Sequence, residues 1–122
     1  MAQSIVPVKI SGSSDGEPLA LTATTSTGAT TIHTASGSSG TNSFDEVYLW
    51  AANNSTGTIL CNVEIGDTDA TRKVSVNISS KAQPTLILPG IRYKKGCVIK
   101  GWKGTATLTT LSVFGNVNRF SS

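Results

Sequence analysis

The sequence predicts an all-β fold, an antiparallel β-sandwich of eight or nine short strands with a jelly-roll-like layout. Apolar residues recur at every second position in several short segments, and no segment repeats them at the i, i+3, i+4 and i+7 spacing of an amphipathic helix. Clusters of glycine, serine, threonine and asparagine separate these segments and mark turns. Charged residues make up only 14% of the chain, which is low for a globular domain.

The length of 122 residues fits one domain, which we assign to residues 1–122, with residues 1–12 as a candidate extended N-terminal arm. Ordering each residue costs about 1 to 2 kcal/mol of backbone entropy. Only 38% of the residues are hydrophobic and 12 are glycine, so we expect neighbouring subunits to contribute to stability.

The clearest strand covers residues 44–52, where even-numbered side chains face one way and odd-numbered ones the other. Both faces carry apolar residues, so both are expected to meet protein. Residues 59–65 and 72–78 also alternate, and the turn between them predicts a hairpin. The other expected strands are 5–10, 19–22, 30–34, 84–90 with a closing Pro89-Gly90 turn, 97–102, and 106–120 with a β-bulge near Thr109-Thr110. Residues 35–42 are expected to form a flexible loop.

Neither a secretory signal nor an apolar run approaching ~20 residues is found, so we expect a soluble protein made in the cytosol, without membrane contact. Cys61 and Cys97 each lie in an apolar strand pattern, and in the cytosol we expect them to remain reduced. The ten basic and seven acidic residues are interspersed, which argues against a specific nucleic-acid partner.

No catalytic, metal or cofactor site is predicted, and the chain is not expected to be an enzyme. His33 is the only histidine and has no Cys, Asp or Glu at ligand spacing, so we interpret it as structural or solvated. Asp45 and Glu46 point to opposite faces of a strand and cannot act as a carboxylate pair. The segment Asp67-Thr68-Asp69 lacks the glycine and distal glutamate of a calcium loop and fits a turn.

Two segments are candidates for contact with partner proteins. The first is the Pro7-containing N-terminal segment, because an extended strand can add to the edge of a neighbour's sheet. The second is a basic turn, which fits either a phosphate backbone or an acidic protein patch, although a solvated turn is the commoner reading. We assign Trp50 to the core and Trp102, flanked by lysines, to a candidate interface. The candidate interface residues are Ile5, Val6, Val8, Ile10, Arg92, Tyr93, Lys94, Lys95 and Trp102.

Several segments together resemble a family of small virion structural proteins of tailed bacteriophages. They are Thr31-Ile32-His33-Thr34-Ala35, residues 44–53, Leu86-Ile87-Leu88-Pro89-Gly90, the segment GDTDATRKVSVNI and the closing segment VFGNVNRF. The resemblance covers roughly the last three quarters of the chain. Residues 1–29 depart most from the family pattern.

The resemblance implies a capsid cement or decoration protein, because some members of that family coat capsids. On this hypothesis the chain forms a homo-oligomer, with a trimer favoured, binds the major capsid protein and lies on the capsid exterior. The alternatives are a head-to-tail connector or tail component, and a virion-surface carbohydrate-binding module in which Trp102 or Tyr93 stacks on a sugar. The absence of clustered exposed aromatic residues and of acidic ligand residues counts against the last alternative.

Overall fold

A computed structural model describes residues 4–35, 43–66, 72–81, 83–104 and 111–121 of the chain. Within these ranges the regular structure is entirely β. The strands are β1 (Ser4–Val8), β2 (Leu19–Ala20), β3 (Thr30–Thr34), β4 (Phe44–Asn53), β5 (Ile59–Ile65), β6 (Lys73–Ile78), β7 (Thr85–Tyr93), β8 (Val98–Lys103) and β9 (Leu111–Ser121). The all-β prediction is therefore confirmed. None of the described residues belongs to a helix long and apolar enough to cross a membrane.

The strands form two antiparallel sheets. Sheet A has the order β1-β9-β4-β7, and β2 also pairs with β9; sheet B has the order β3-β8-β5-β6. The predicted hairpin is confirmed, because β5 and β6 pair antiparallel from Ile59 opposite Ile78 to Glu64 opposite Lys73. Strand β4 is central in sheet A and pairs with β9 over its whole length, from Phe44 opposite Phe120 to Asn53 opposite Leu111.

One hydrophobic core lies between the sheets, which gives the fold a sandwich-like arrangement. The odd-numbered side chains of β4 are buried and its even-numbered ones are half-buried, as the alternating sequence predicts. Sheet B meets them with the inward side chains of β3, β5 and β8. Fully buried residues from both sheets include Val47, Leu49, Val113, Ile32, Val63 and Ile99.

The Pro89-Gly90 pair does not form the turn that the sequence suggests. Strand β7 continues through it to Tyr93, and the pairing with β4 shifts because Val47 lies opposite Ile91 whereas Tyr48 lies opposite Pro89. Gly90 is the extra residue of this β-bulge and has φ +90°, which favours glycine. Two bulges and a proline on an edge strand discourage pairing with another sheet.

Other predictions concern residues outside the described ranges. They include the β-bulge near Thr109-Thr110, the Asp67-Thr68-Asp69 turn and most of the 35–42 loop. Of that loop, Ala35 is described, and it is buried in the core. The described cysteines are both free: Cys61 is fully buried and Cys97 is half-buried. Burial raises the pKa of the Cys61 thiol to about 12 and also raises that of Cys97, so neither thiol is activated as a nucleophile.

Gly115 is the one point where the backbones of β9 and β4 approach too closely for any side chain. A Cβ atom at this position would overlap the carbonyl oxygen of Tyr48 and lie 2.9 Å from the Tyr48 carbonyl carbon. Because both clashing atoms belong to the backbone of the central strand, they cannot move aside without disturbing the ladder.

We expect Gly115→Ala to lower the free energy of unfolding by about 2 to 3 kcal/mol through overpacking against β4. Gly28→Ala is the matched control, because its Cβ would meet only the Thr25 hydroxyl oxygen at 3.9 Å. Urea unfolding followed by tryptophan fluorescence measures both. Equal stability of the two variants would contradict the close approach of β9 and β4.

Candidate functional site

Three of the candidate interface residues are buried. Ile10 is 1% exposed and belongs to the core, and Tyr93 is buried beside Asp45 of the neighbouring strand. Burial raises the pKa of the Tyr93 phenol to about 12. Trp102 lies on the outer face of sheet B but is only 9% exposed, with the Lys73 ammonium 5.9 Å from its ring centroid. These side chains are not available to a partner of the folded chain.

The N-terminal segment is an edge strand of sheet A. Strand β1 pairs antiparallel with the end of β9, with Ile5 opposite Phe120 and Val8 opposite Val117. Four of its five residues are exposed, including Ile5 (56%) and Val6 (53%), while Val8 packs against the core. Since consecutive side chains point to opposite faces, exposure of both Ile5 and Val6 shows that β1 projects beyond the area covered by sheet B.

The basic cluster expected at residues 92–95 is divided in the structure. Arg92 lies on the outer face of sheet A, where its guanidinium is 3.6 Å from the Glu46 carboxylate. Tyr93 points inward, and Lys94 and Lys95 are exposed in the turn that follows. The four residues therefore do not form one continuous surface for an anion.

His33 is buried in a polar cluster that joins the two sheets. Its Nε2 lies 2.8 Å from Oδ2 of Asp45, and the Ser11 backbone N–H donates to its Nδ1 at 3.0 Å. Because Nδ1 accepts a hydrogen bond, the ring carries its hydrogen on Nε2 and donates it to the carboxylate. Arg119 donates to the same carboxylate through Nε at 2.9 Å and Nη2 at 3.1 Å.

The geometry of this cluster indicates a structural role. The side chains of His33 and Asp45 are fully buried, and both carboxylate oxygens and both imidazole nitrogens are hydrogen-bonded. The hydrogen bond to Asp45 raises the pKa of Arg119, so the guanidinium stays charged. Across the described ranges, no group of three or more His, Cys, Asp and Glu side chains is placed to hold a metal ion.

Within the described ranges, aromatic side chains, which often contribute to binding, are concentrated on the outer face of sheet A. The even-numbered residues of β4 face outward there, opposite even-numbered residues of β9. Trp50 is among them, so its assignment to the core is wrong: it is half-buried on the outer face, opposite Phe114. In the sequence, five aromatic residues occupy even-numbered positions: Phe44, Tyr48, Trp50, Phe114 and Phe120. Only the pairing of β4 with β9 shows that these five rings lie on the same face.

The five rings divide into two groups. The first, here called the apolar end, consists of Ile5, Phe44, Phe120 and Arg92 and lies beside β1. Phe44 and Phe120 stack with centroids 4.5 Å apart, and the Arg92 guanidinium lies 4.7 Å from the Phe44 centroid and 5.7 Å from that of Phe120. Arg92 is 62% exposed, so the upper side of this group faces solvent.

The second group, here called the aromatic row, consists of Tyr48, Trp50 and Phe114. The ring planes of Tyr48 and Trp50 differ by 19°, with centroids 6.4 Å apart, and those of Trp50 and Phe114 by 13°, with centroids 6.3 Å apart. Glu46 raises the pKa of the Tyr48 phenol, mainly by its charge and then by a hydrogen bond, which keeps the phenol neutral. The expectation that clustered aromatic residues are absent is therefore wrong for this face.

An open depression of about 520 Å³ adjoins the aromatic row. Its lining residues are Trp50, Gln83, Pro84, Phe114, Gly115 and Asn116. It combines an aromatic and proline floor with two amide side chains, a composition common in binding sites for small ligands.

Comparison of the chain with protein-family models, with curated proteins and with solved structures gave no match.

We expect Asp45→Asn to lower the free energy of unfolding by about 3 kcal/mol, because it disrupts a buried ion pair. All the hydrogen-bond partners of Asp45 in the cluster are donors, and an amide replaces one acceptor oxygen with an NH₂ group. Chemical unfolding at neutral pH measures the loss.

Glu46→Gln is the matched control for that substitution. Glu46 is the next residue on the same strand and pairs with the largely exposed Arg92 at 3.6 Å, so its loss should cost under about 1 kcal/mol. If the two variants unfold at the same denaturant concentration, the buried cluster does not stabilise the fold as described.

Proposed function

We propose that the chain is a virion structural protein of a tailed bacteriophage, namely a capsid cement or decoration protein that bridges major capsid subunits. The observation that carries the proposal is the apolar end together with β1: the exposed Ile5 lies beside a stacked aromatic pair and an arginine, and Val6 is exposed on the other face of the same strand. Aromatic residues and arginine are enriched where protein interfaces concentrate their binding energy. The sequence resemblance to phage virion proteins supports the same assignment.

The strand order supports a jelly roll. Sheet A has the order β1-β9-β4-β7 and sheet B the order β3-β8-β5-β6, so the chain passes from one sheet to the other at almost every connection. Two Greek keys wrapped into two sheets give such an order, and viral capsid domains are among the proteins built in this way. Fold alone does not define function, so this order supports the proposal without carrying it.

In this proposal the protein works mechanically. A subunit that spans two capsid proteins adds contact area that is lost when internal pressure separates them, and many copies act together. Strand β1 suits a bridging contact because both of its faces are open to a neighbour. We propose a trimer on the capsid exterior, with β1 and the apolar end directed at the major capsid protein.

Binding of the purified protein to capsids that lack it tests the proposal. We expect the double variant Ile5→Ser/Val6→Ser to bind at least about 10-fold more weakly, because two apolar side chains lose their burial. These substitutions are preferable to removal of the segment, since Ile10 and Val8 contribute to the core. Cosedimentation with capsids over a range of concentrations measures the affinity.

Leu86→Ser is the matched control, because Leu86 is also exposed on an edge strand of sheet A but lies opposite Trp50, away from the apolar end. It should bind capsids like the unmodified protein. Binding that does not change in the Ile5/Val6 variant would refute this docking surface. Occupancy restricted to a single ring at one vertex would instead favour the connector alternative.

A further inference from the structure

The three rings of the aromatic row have nearly parallel planes, and the centroids of neighbouring rings lie 6.3 to 6.4 Å apart. If the planes of Trp50 and Phe114 were separated by a van der Waals distance of about 3.5 Å, their 6.3 Å centroid distance would require a sideways offset of about 5 Å. The same holds for Tyr48 and Trp50 at 6.4 Å. Rings in contact at such centroid distances are widely offset and overlap little.

Gly90 lies against the ring of Tyr48. A Cβ atom on Gly90 would lie 2.8 Å from Cζ of Tyr48 and 2.9 Å from both Cε2 and Oη. An approach in the plane of the ring would bring Cε2 and Oη nearer than Cζ, to which both are bonded. Since Cζ is nearest, one face of the Tyr48 ring is turned to the glycine, and the side chain remains half-buried on the outer face of sheet A.

The depression beside the row supplies neutral hydrogen-bonding groups. Gln83 and Asn116 are exposed, and each amide offers two donor hydrogens and one acceptor oxygen. None of the six described residues that line the depression is charged. Arg92, on the same face, is engaged with Phe44, Phe120 and Glu46 at the apolar end.

We propose that the aromatic row and its depression bind a neutral polysaccharide of pyranose units. A sugar ring presents an apolar C–H face that packs on an aromatic ring, and its hydroxyl groups both donate to and accept from amides. A nucleic-acid strand could stack on the same rings, but its phosphates require cations that the lining residues lack. An apolar peptide would leave Gln83 and Asn116 without partners.

The site differs from the carbohydrate hypothesis drawn from the sequence, which relied on Tyr93 and Trp102. Both of those rings are buried, whereas the rings of the row are half-buried on the outer face of sheet A. Three adjacent rings offer stacking positions to successive sugar units. Affinity should therefore rise with the length of the oligosaccharide and level off at about three units.

Affinity electrophoresis of the full chain tests the proposal in gels containing dextran, mannan, galactan or acidic alginate, with a single-stranded oligothymidylate tested in solution. We expect retention by at least one neutral polysaccharide, and at least 10-fold weaker binding by Trp50→Ala and by Phe114→Ala. Trp50→Phe, which keeps an aromatic ring, should retain most of the binding. Ile5→Ser, on the same sheet but at the apolar end, should bind like the unmodified protein.

A second measurement does not depend on the stability of the alanine variants. The chain has two tryptophans, so Trp102→Phe leaves Trp50 as the only indole reporter. Saturating polysaccharide should then shift the Trp50 emission and protect it from iodide quenching. Any of three results would overturn the proposal. They are retention by none of the three neutral polysaccharides, binding that Trp50→Ala does not change, and a preference for alginate or oligothymidylate. Loss of capsid binding in the Ile5/Val6 variant would be unaffected by any of these results.

Discussion

The structure depends on the placement of β4 at the centre of sheet A with its two faces strictly alternating. Its ten residues pair with β9 without a break, so the register is fixed along the whole strand. A shift of one residue would exchange the two faces and move Tyr48 and Trp50 into the core in place of Val47 and Leu49. The core and the outer aromatic surface are therefore two consequences of one register.

Polar side chains hold both ends of the inner face of β4. At one end Asp45 meets His33 of sheet B and Arg119 of β9. At the other end the buried amide of Asn53 donates to the carbonyl oxygens of Gly57 and Ile78, while its Oδ1 accepts from Ser55. A shift of two residues would keep apolar side chains on the inner face, but it would separate the buried carboxylate and amide from their partners, so the polar ends help to specify the register.

The sequence was sufficient for features that local pattern controls. The alternation of β4 and the β5–β6 hairpin depend on period-two spacing and a nearby turn, and both are present. The turn predicted at Pro89-Gly90 is wrong because the residues that favour a turn also favour a bulge on an edge strand. Only the pairing with β4 distinguishes the two.

The surface could not be predicted because it depends on contacts between distant segments. Both faces of β4 carry apolar residues, so the alternation in the sequence does not tell which face meets the core. Trp50 faces outward because sheet B packs on the other face of β4, where Val47 and Leu49 belong to the core. The lysines beside Trp102 suggested exposure, yet Lys103 is itself only 4% exposed. Neighbouring charged residues are therefore a weak guide to the exposure of a side chain when other segments cover the sheet.

The two parts of the outer face of sheet A differ in chemistry. The apolar end combines exposed aliphatic residues with an arginine on an aromatic pair, whereas the aromatic row has flat rings and uncharged amides. One rigid face can thus present two unlike surfaces because a single strand, β4, contributes to both. Their separation along β4 allows each surface to be altered without changing the other.

Hydroxyl-radical footprinting of the folded chain tests this placement of β4 most directly, because it compares two chemically identical side chains. The account predicts that the half-buried Trp50 is oxidised several-fold faster than the buried Trp102, and that the two rates become equal on unfolding. Faster oxidation of Trp102 than of Trp50 in the folded protein would show that β4 faces the other way.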